Sequence, residues 1–236
     1  MEKQKETNHY QIQSLPINSG VFCLKKDRFQ DVVWIGTDGQ GVYLYSNPLY
    51  SIKSMVLSNY TEKIERPVRA IYLDDERTFW VGTKGNGILK IYDYEFDKNI
   101  SDCRAEVLTT SNSALSSNAV YCFAKSHRNL LWIGDEEGLT YYSYREKRIK
   151  SIPIRIGNED FKYIHDIYET ADSELWLASV GMGVVKARIA GTPDNPVIVD
   201  AQRYIINDCE LGSNYFMTIY AENEANLLFG NKGYGV

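Results

Sequence analysis

The chain has no run of basic residues, no long apolar stretch and no Cys-x-x-Cys pair, and each absence closes off a class of function. Its 26 Lys and Arg are scattered among 31 Asp and Glu, for a net charge of −5. A nucleic-acid binder gathers its cations against the phosphate backbone, so no nucleic acid is expected as a partner. No segment approaches the ~20 apolar residues of a membrane-spanning helix, so no membrane span is expected. The first eight residues, MEKQKETN, read as a polar tail rather than an export signal, which needs an apolar centre. Either the protein is cytoplasmic or the chain is a piece of something longer. Cys23, Cys103, Cys122 and Cys209 are too widely spaced for a zinc site and read as free thiols. His9, His127 and His165 share no metal-ligand spacing, and no Gly-x-Ser-x-Gly elbow occurs. No catalytic set, metal or cofactor is therefore expected. Proline is also scarce, at 6 residues, whereas tyrosine reaches 18 and glycine 17. Aromatic residues suit a half-buried pleated surface, so the composition leans to an all-β fold.

Internal repetition gives that fold its form. VWIGTDGQGVYLY from Val33, FWVGTKGNGILKIY from Phe79, LWIGDEEGLTYY from Leu131 and LWLASVGMGVVKA from Leu175 align, and LLFGNKGYGV from Leu227 keeps the pattern. Their anchors, Trp34, Trp80, Trp132, Trp176 and Leu228, lie 46, 52, 44 and 52 residues apart, intervals that suit one propeller blade each. An alternating run precedes each anchor. It begins at Val68, Val120, Ile164 and Phe216, twelve residues ahead, and at Val21, thirteen ahead. This run is strand A, the anchor segment is strand B, and a Gly-containing turn leads into strand C at Val42, Ile88 and Leu139. Strand D begins at Tyr50, Ala105, Arg148 and Ala201. Residues 9–236 are thus expected to form about five four-stranded blades of a β-propeller, whose radial stacking covers both faces of each sheet. The segment 10–17 (YQIQSLPI) resembles a strand D and could close the ring beside the last repeat.

One repeat is specific enough to compare with a family. In residues 112–152, Leu115, Ser116, Ser117, Asn118 and Val120 are followed by Leu131 to Gly134 and then by Gly138, Leu139 and Tyr142. This pattern resembles the two-component regulator propeller repeat, with Asp135 where the family has threonine. The resemblance implies the periplasmic or extracellular sensor part of a hybrid two-component regulator. It further implies detection of glycan fragments, a neighbouring propeller or dimer partner, and a chain that is a fragment of a larger sensor.

Several motifs read as structure. Tryptophans recurring once per blade suit packing between blades better than a sugar-stacking platform. TDGQG and TKGNG run into strands, not into the helix N-terminus that a phosphate loop requires. The acidic runs from Asp74 to Glu76 and from Asp135 to Glu137 read as solvated turns, since neighbours in one hairpin do not make a catalytic pair across a cleft. His165, on a strand A, could line the axial channel, and a hydrogen-bonded position between blades is its default reading.

A ligand site is expected where the B to C turns and the connections leading into strand A converge. The turns contribute Asp38, Gln40, Lys84, Asn86, Asp135, Glu136 and Met182, and the connections contribute Arg66, Asn118 and Lys162. This mixture of charges and amides suits an oligosaccharide, whose hydroxyls need donors and acceptors together. Two other functions are compatible with the sequence. A protein-interaction scaffold would show a broad apolar face, and a glycan-active enzyme would gather acids or histidines in the axial channel.

Overall fold

The computed structural model describes residues 15–46, 51–55 (backbone only), 64, 66–94, 103–206, 212–233 and 235. The polar tail, most of the segment 10–17 and Cys209 lie outside them. All regular structure among the described residues is β. The first sheet comprises β1 (Val21–Lys26), β2 (Val32–Thr37), β3 (Val42–Ser46) and β4 (Ser51–Met55). The second comprises β5 (Val68–Leu73), β6 (Phe79–Thr83), β7 (Ile88–Ile91) and β8 (Ala105–Leu108). The third comprises β9 (Val120–Lys125), β10 (Leu130–Asp135), β11 (Leu139–Ser143) and β12 (Arg148–Ser151). A short hairpin, β13 (Arg155–Ile156) with β14 (Glu159–Asp160), precedes the fourth sheet of β15 (Ile164–Glu169), β16 (Glu174–Ser179), β17 (Gly183–Thr192) and β18 (Asn195–Tyr204). A final pair, β19 (Phe216–Asn223) and β20 (Asn226–Asn231), begins a fifth.

Each full sheet is an antiparallel meander of neighbouring strands, and the strand A starts expected from the sequence are those observed. Successive inner strands β1, β5, β9, β15 and β19 pack side by side, so the sheets stack as blades. Among the described residues no closed ring is shown, and residues 15–17 carry no strand. The fourth blade departs from expectation. Its β17 and β18 run to ten residues each, so strand D starts at Asn195 rather than Ala201.

Burial follows the repeat. Trp34, Trp80 and Trp132 are almost completely enclosed, and each indole N–H finds a carboxylate. Trp34 Nε1 donates to Asp27 at 3.0 Å, and Trp80 Nε1 donates to Asp74 at 2.9 Å. In the third blade Ser126 occupies the corresponding turn position, and Trp132 Nε1 donates instead to Glu169 of the next blade at 2.7 Å. Trp176 is only half-buried, stacked on Tyr204, and Leu228 is exposed. The glycine two residues after the anchor, Ala178 in the fourth blade, permits close stacking. A Cβ on Gly134 would lie 2.4 Å from Cys122 Sγ and 2.7 Å from the Ile164 carbonyl oxygen of the next blade.

Two readings need correction. Asp74 and Asp135 are not solvated, being 1% and 0% exposed. Each folds back on its own turn. Asp74 Oδ1 accepts from the amides of Glu76 and Thr78, and Asp135 Oδ1 accepts from those of Glu137 and Gly138. Asp75 and Glu137 do face solvent.

Candidate functional site

The start of each inner strand pairs with the end of its neighbour, as Val68 does with Thr83, so the B to C turns and the approaches to strand A share one face. The expected site residues all lie on that face, but most are engaged in holding it together. Lys84 forms a β-bridge with Ala119 of the next blade, and Gly85 and Gly87 donate to the Asn118 carbonyl. Asn118 Oδ1 accepts from the Thr110 amide, and Asn86 Oδ1 accepts from that of Arg66. Asp135 Oδ2 accepts from the Ser116 hydroxyl at 2.5 Å, and burial pushes its carboxyl up to about 6. Glu136 accepts weakly from Ser117. Met182 packs onto the core and accepts from the Lys162 amide, while Lys162 Nζ pairs with Glu137 at 2.5 Å. Asp38 and Gln40 are exposed, and Gln40 Oε1 accepts from the Tyr43 hydroxyl. The face is therefore a chain of latches between blades.

Just inside it lies a cavity of about 1100 Å³, bounded by all five inner strands. Its rim comes from a feature repeated in every blade. The pairing of strands A and B slips once near the start of strand A, between Val21 and Cys23, Val68 and Ala70, Ile164 and Asp166, Phe216 and Thr218, and opposite Gly134 and Asp135 in the third blade. Each slip is a β-bulge that leaves one residue without a partner and re-aims its side chain. The five bulge residues are Phe22, Arg69, Tyr121, His165 and Met217, and all five line the cavity.

Four of these residues associate in pairs. The Arg69 guanidinium lies 3.7 Å from the centre of the Phe22 ring. Tyr121 and His165 stack with centroids 4.3 Å apart at 13°. His165 therefore sits in the cavity against an aromatic ring rather than bridging blades by a hydrogen bond as expected. Burial, reinforced by the cations Arg69 and Lys84, holds its imidazole down at about 4, so it is neutral near pH 7. The Tyr121 hydroxyl is pushed up, mainly by burial, and stays protonated as a donor. Arg69 Nε is buried with no hydrogen-bond partner among the described residues.

Deeper in, Tyr72, Tyr168 and Tyr220 add aromatic wall, with Lys25 5.8 Å from the Tyr72 ring. The two carboxylates lining the cavity are both taken up by the sheets. Asp166 accepts from the Ile219 amide at 2.7 Å and the Thr218 hydroxyl at 3.0 Å, and burial raises its carboxyl. Glu169 accepts from Trp132 and from the His127 amide. Burial also pushes the Cys23 thiol up to about 11 and Cys122 well above the usual thiol range, so neither is a nucleophile near neutral pH. Among the described residues no three His, Cys, Asp or Glu side chains gather as metal ligands. The cavity can therefore bind, stack against and hydrogen-bond a guest.

The five bulge residues that line the cavity were not among the site residues expected from the sequence. They stand one residue after each strand A start, as Phe, Arg, Tyr, His and Met.

No family model matches the chain. Among solved structures, it superposes on the extracellular domain of BT3049 from B. thetaiotaomicron, assigned to a hybrid two-component system, with TM-score 0.68 and 22% identity over 94% of this chain and 27% of that one. The fold is one that bacterial extracellular domains use. A second such domain, of BT4673 from the same organism, assigned to a one-component system, gives TM-score 0.58 and 15% identity over 95% of this chain and 42% of that one. PorZ, an essential surface component of the type-IX secretion system of Porphyromonas gingivalis, gives TM-score 0.65 and 14% identity over 89% of this chain and 31% of that one. Among curated proteins, translation initiation factor 6 of Saccharolobus solfataricus is 31% identical over 140 residues, covering 54% of this chain and 57% of that protein. The chain thus spans less than half of each of these solved structures and little more than half of that curated relative. Among the described residues no helix is long and apolar enough to cross a membrane.

Proposed function

We propose that this chain is a non-catalytic ligand-sensing module, the extracytoplasmic part of a two-component type regulator, and that it holds an oligosaccharide fragment in the cavity between its inner strands. The observation that carries this reading is the cavity itself. At about 1100 Å³ it is just above the usual range for small-molecule sites, roomy enough for several sugar units, and it mixes aromatic wall with separated polar groups. Aromatic faces suit the apolar faces of sugars, and the Tyr121 hydroxyl, the His165 imidazole and the Lys25 ammonium supply donors and acceptors for hydroxyls. The likeness to extracellular domains supports an extracytoplasmic location, and the repeat resemblance supports a β-propeller acting beside a neighbouring propeller or a second copy.

Thermal-shift screening of a glycan-fragment library, followed by product analysis on each hit, tests the reading. A sensor raises the melting temperature with selected fragments and returns them intact. Cleaved fragments would make the protein an enzyme, and the absence of any shift would favour an interaction scaffold.

A further inference from the structure

We infer that the bulge ring at the cavity mouth selects an acidic sugar, a uronic acid-bearing saccharide, and that Arg69 is the residue that reads its carboxylate. The inference rests on the oligosaccharide reading above and adds the charge of the ligand and the group that recognises it.

The first observation is the sign of the wall. The chain as a whole is acidic, with a net charge of −5, yet the cavity is lined by Lys25, Arg28, Arg69 and Lys125 against Asp166 and Glu169. Both of those carboxylates are occupied by donors from the sheets. Arg28 and Lys125 share Asp75, and Lys25 feels the Asp166 carboxylate, which leaves Arg69 as the lining cation with no carboxylate in ion-pair contact among the described residues. An excess of cations in a cleft raises the local concentration of guests of the opposite sign.

The second observation is the setting of Arg69. It is the charged member of a ring whose other members are Phe22, Tyr121, His165 and Met217. Its guanidinium carbon lies over the Phe22 ring, 3.7 Å from the centroid, and its Nε lacks an acceptor among the described residues. A planar guanidinium fixed by an aromatic face is arranged for two parallel hydrogen bonds to a carboxylate, a geometry lysine does not reproduce. The stacked Tyr121 and His165 pair lies on the neighbouring strands, where it can meet the sugar ring carrying that carboxylate. His165 is neutral near pH 7 and adds no competing charge.

The decisive experiment titrates trigalacturonate and its neutral counterpart galactotriose calorimetrically into the wild-type protein and into Arg69→Met and Arg69→Lys. The inference predicts that trigalacturonate binds at least 30-fold more tightly than galactotriose, and that Arg69→Met removes most of that preference by weakening trigalacturonate far more than galactotriose. Arg69→Lys should recover only part of the preference. It also serves as the test protein if Arg69→Met does not fold, and wild-type discrimination in that variant overturns the role of Arg69. Equal affinity of the wild type for the two trisaccharides overturns the charge preference and leaves the sensor reading intact. If galactotriose and other neutral fragments bind while trigalacturonate does not, the charge assignment is wrong although the cavity is a sugar site. If no saccharide binds at all, both readings fall.

Discussion

Replacing Trp132 tests whether the once-per-blade tryptophans are structural. The side chain is completely enclosed, meets Tyr141 edge-on with centroids 5.7 Å apart, and donates through Nε1 to Glu169 of the following blade. Emptying a large aromatic core site costs about 3–5 kcal/mol, so Trp132→Ala should lose that much stability. For a domain of this size each kcal/mol lowers the melting temperature by ~2–4 °C, giving a drop of roughly 6–20 °C. Trp132→Phe keeps most of the apolar volume and deletes the N–H. Its expected cost is about 1.5–3 kcal/mol, the worth of a hydrogen bond to a charged acceptor, lessened because the His127 amide still reaches Glu169 at 3.3 Å. Urea melts monitored by circular dichroism measure both losses. A loss below roughly 1 kcal/mol for Trp132→Ala would refute the packing role and imply an exposed indole.

Other consequences follow from the same geometry. Gly134→Ala forces a Cβ into the Cys122 thiol and the backbone of the next blade, so equilibrium unfolding should show a loss of about 1–3 kcal/mol, and a neutral result would mean that the third and fourth blades are not in contact. Asp135 gives a pH signature. Its folded carboxyl is raised from 3.8 to about 6, so between these values the folded state binds more protons than the unfolded chain and stability falls as pH rises. The penalty, about 2–3 kcal/mol, is fully present above pH ~6. Asp135→Asn keeps the acceptor for the Glu137 and Gly138 amides and should abolish this slope, being neutral or stabilising at pH 7.5 in urea melts, whereas a loss above about 2 kcal/mol there would contradict the desolvation account.

Much of the fold was legible because each blade repeats its own chemistry. A tryptophan followed two residues later by glycine, or by Ala178 in the fourth blade, marks strand B. The alternating run ahead of it marks strand A, and all five starts appear where the spacing put them. The short β13–β14 hairpin and the long reach of β17 and β18 were not legible, because they belong to connections that do not repeat. The burial of Asp74 and Asp135 was hidden by their exposed neighbours Asp75 and Glu137, since composition cannot say which carboxylate of a run turns inward to its own amides. The cavity rim was hidden for a deeper reason. A bulge is a property of the register between two strands, so the residue it re-aims looks on one strand like any other alternating position. Phe22, Arg69, Tyr121, His165 and Met217 share no chemistry, only a place.

The central claim, that the cavity mouth ringed by those five residues is where a ligand enters, is tested most directly by blocking it. Met217 is 38% exposed on the rim, so Met217→Trp adds bulk at the opening without emptying the core. The account predicts that a saccharide which stabilises the wild-type protein in calorimetric titration will bind this variant at least tenfold more weakly, while the melting temperature of the free protein stays within about 2 °C. Undiminished binding to a folded Met217→Trp protein would contradict it.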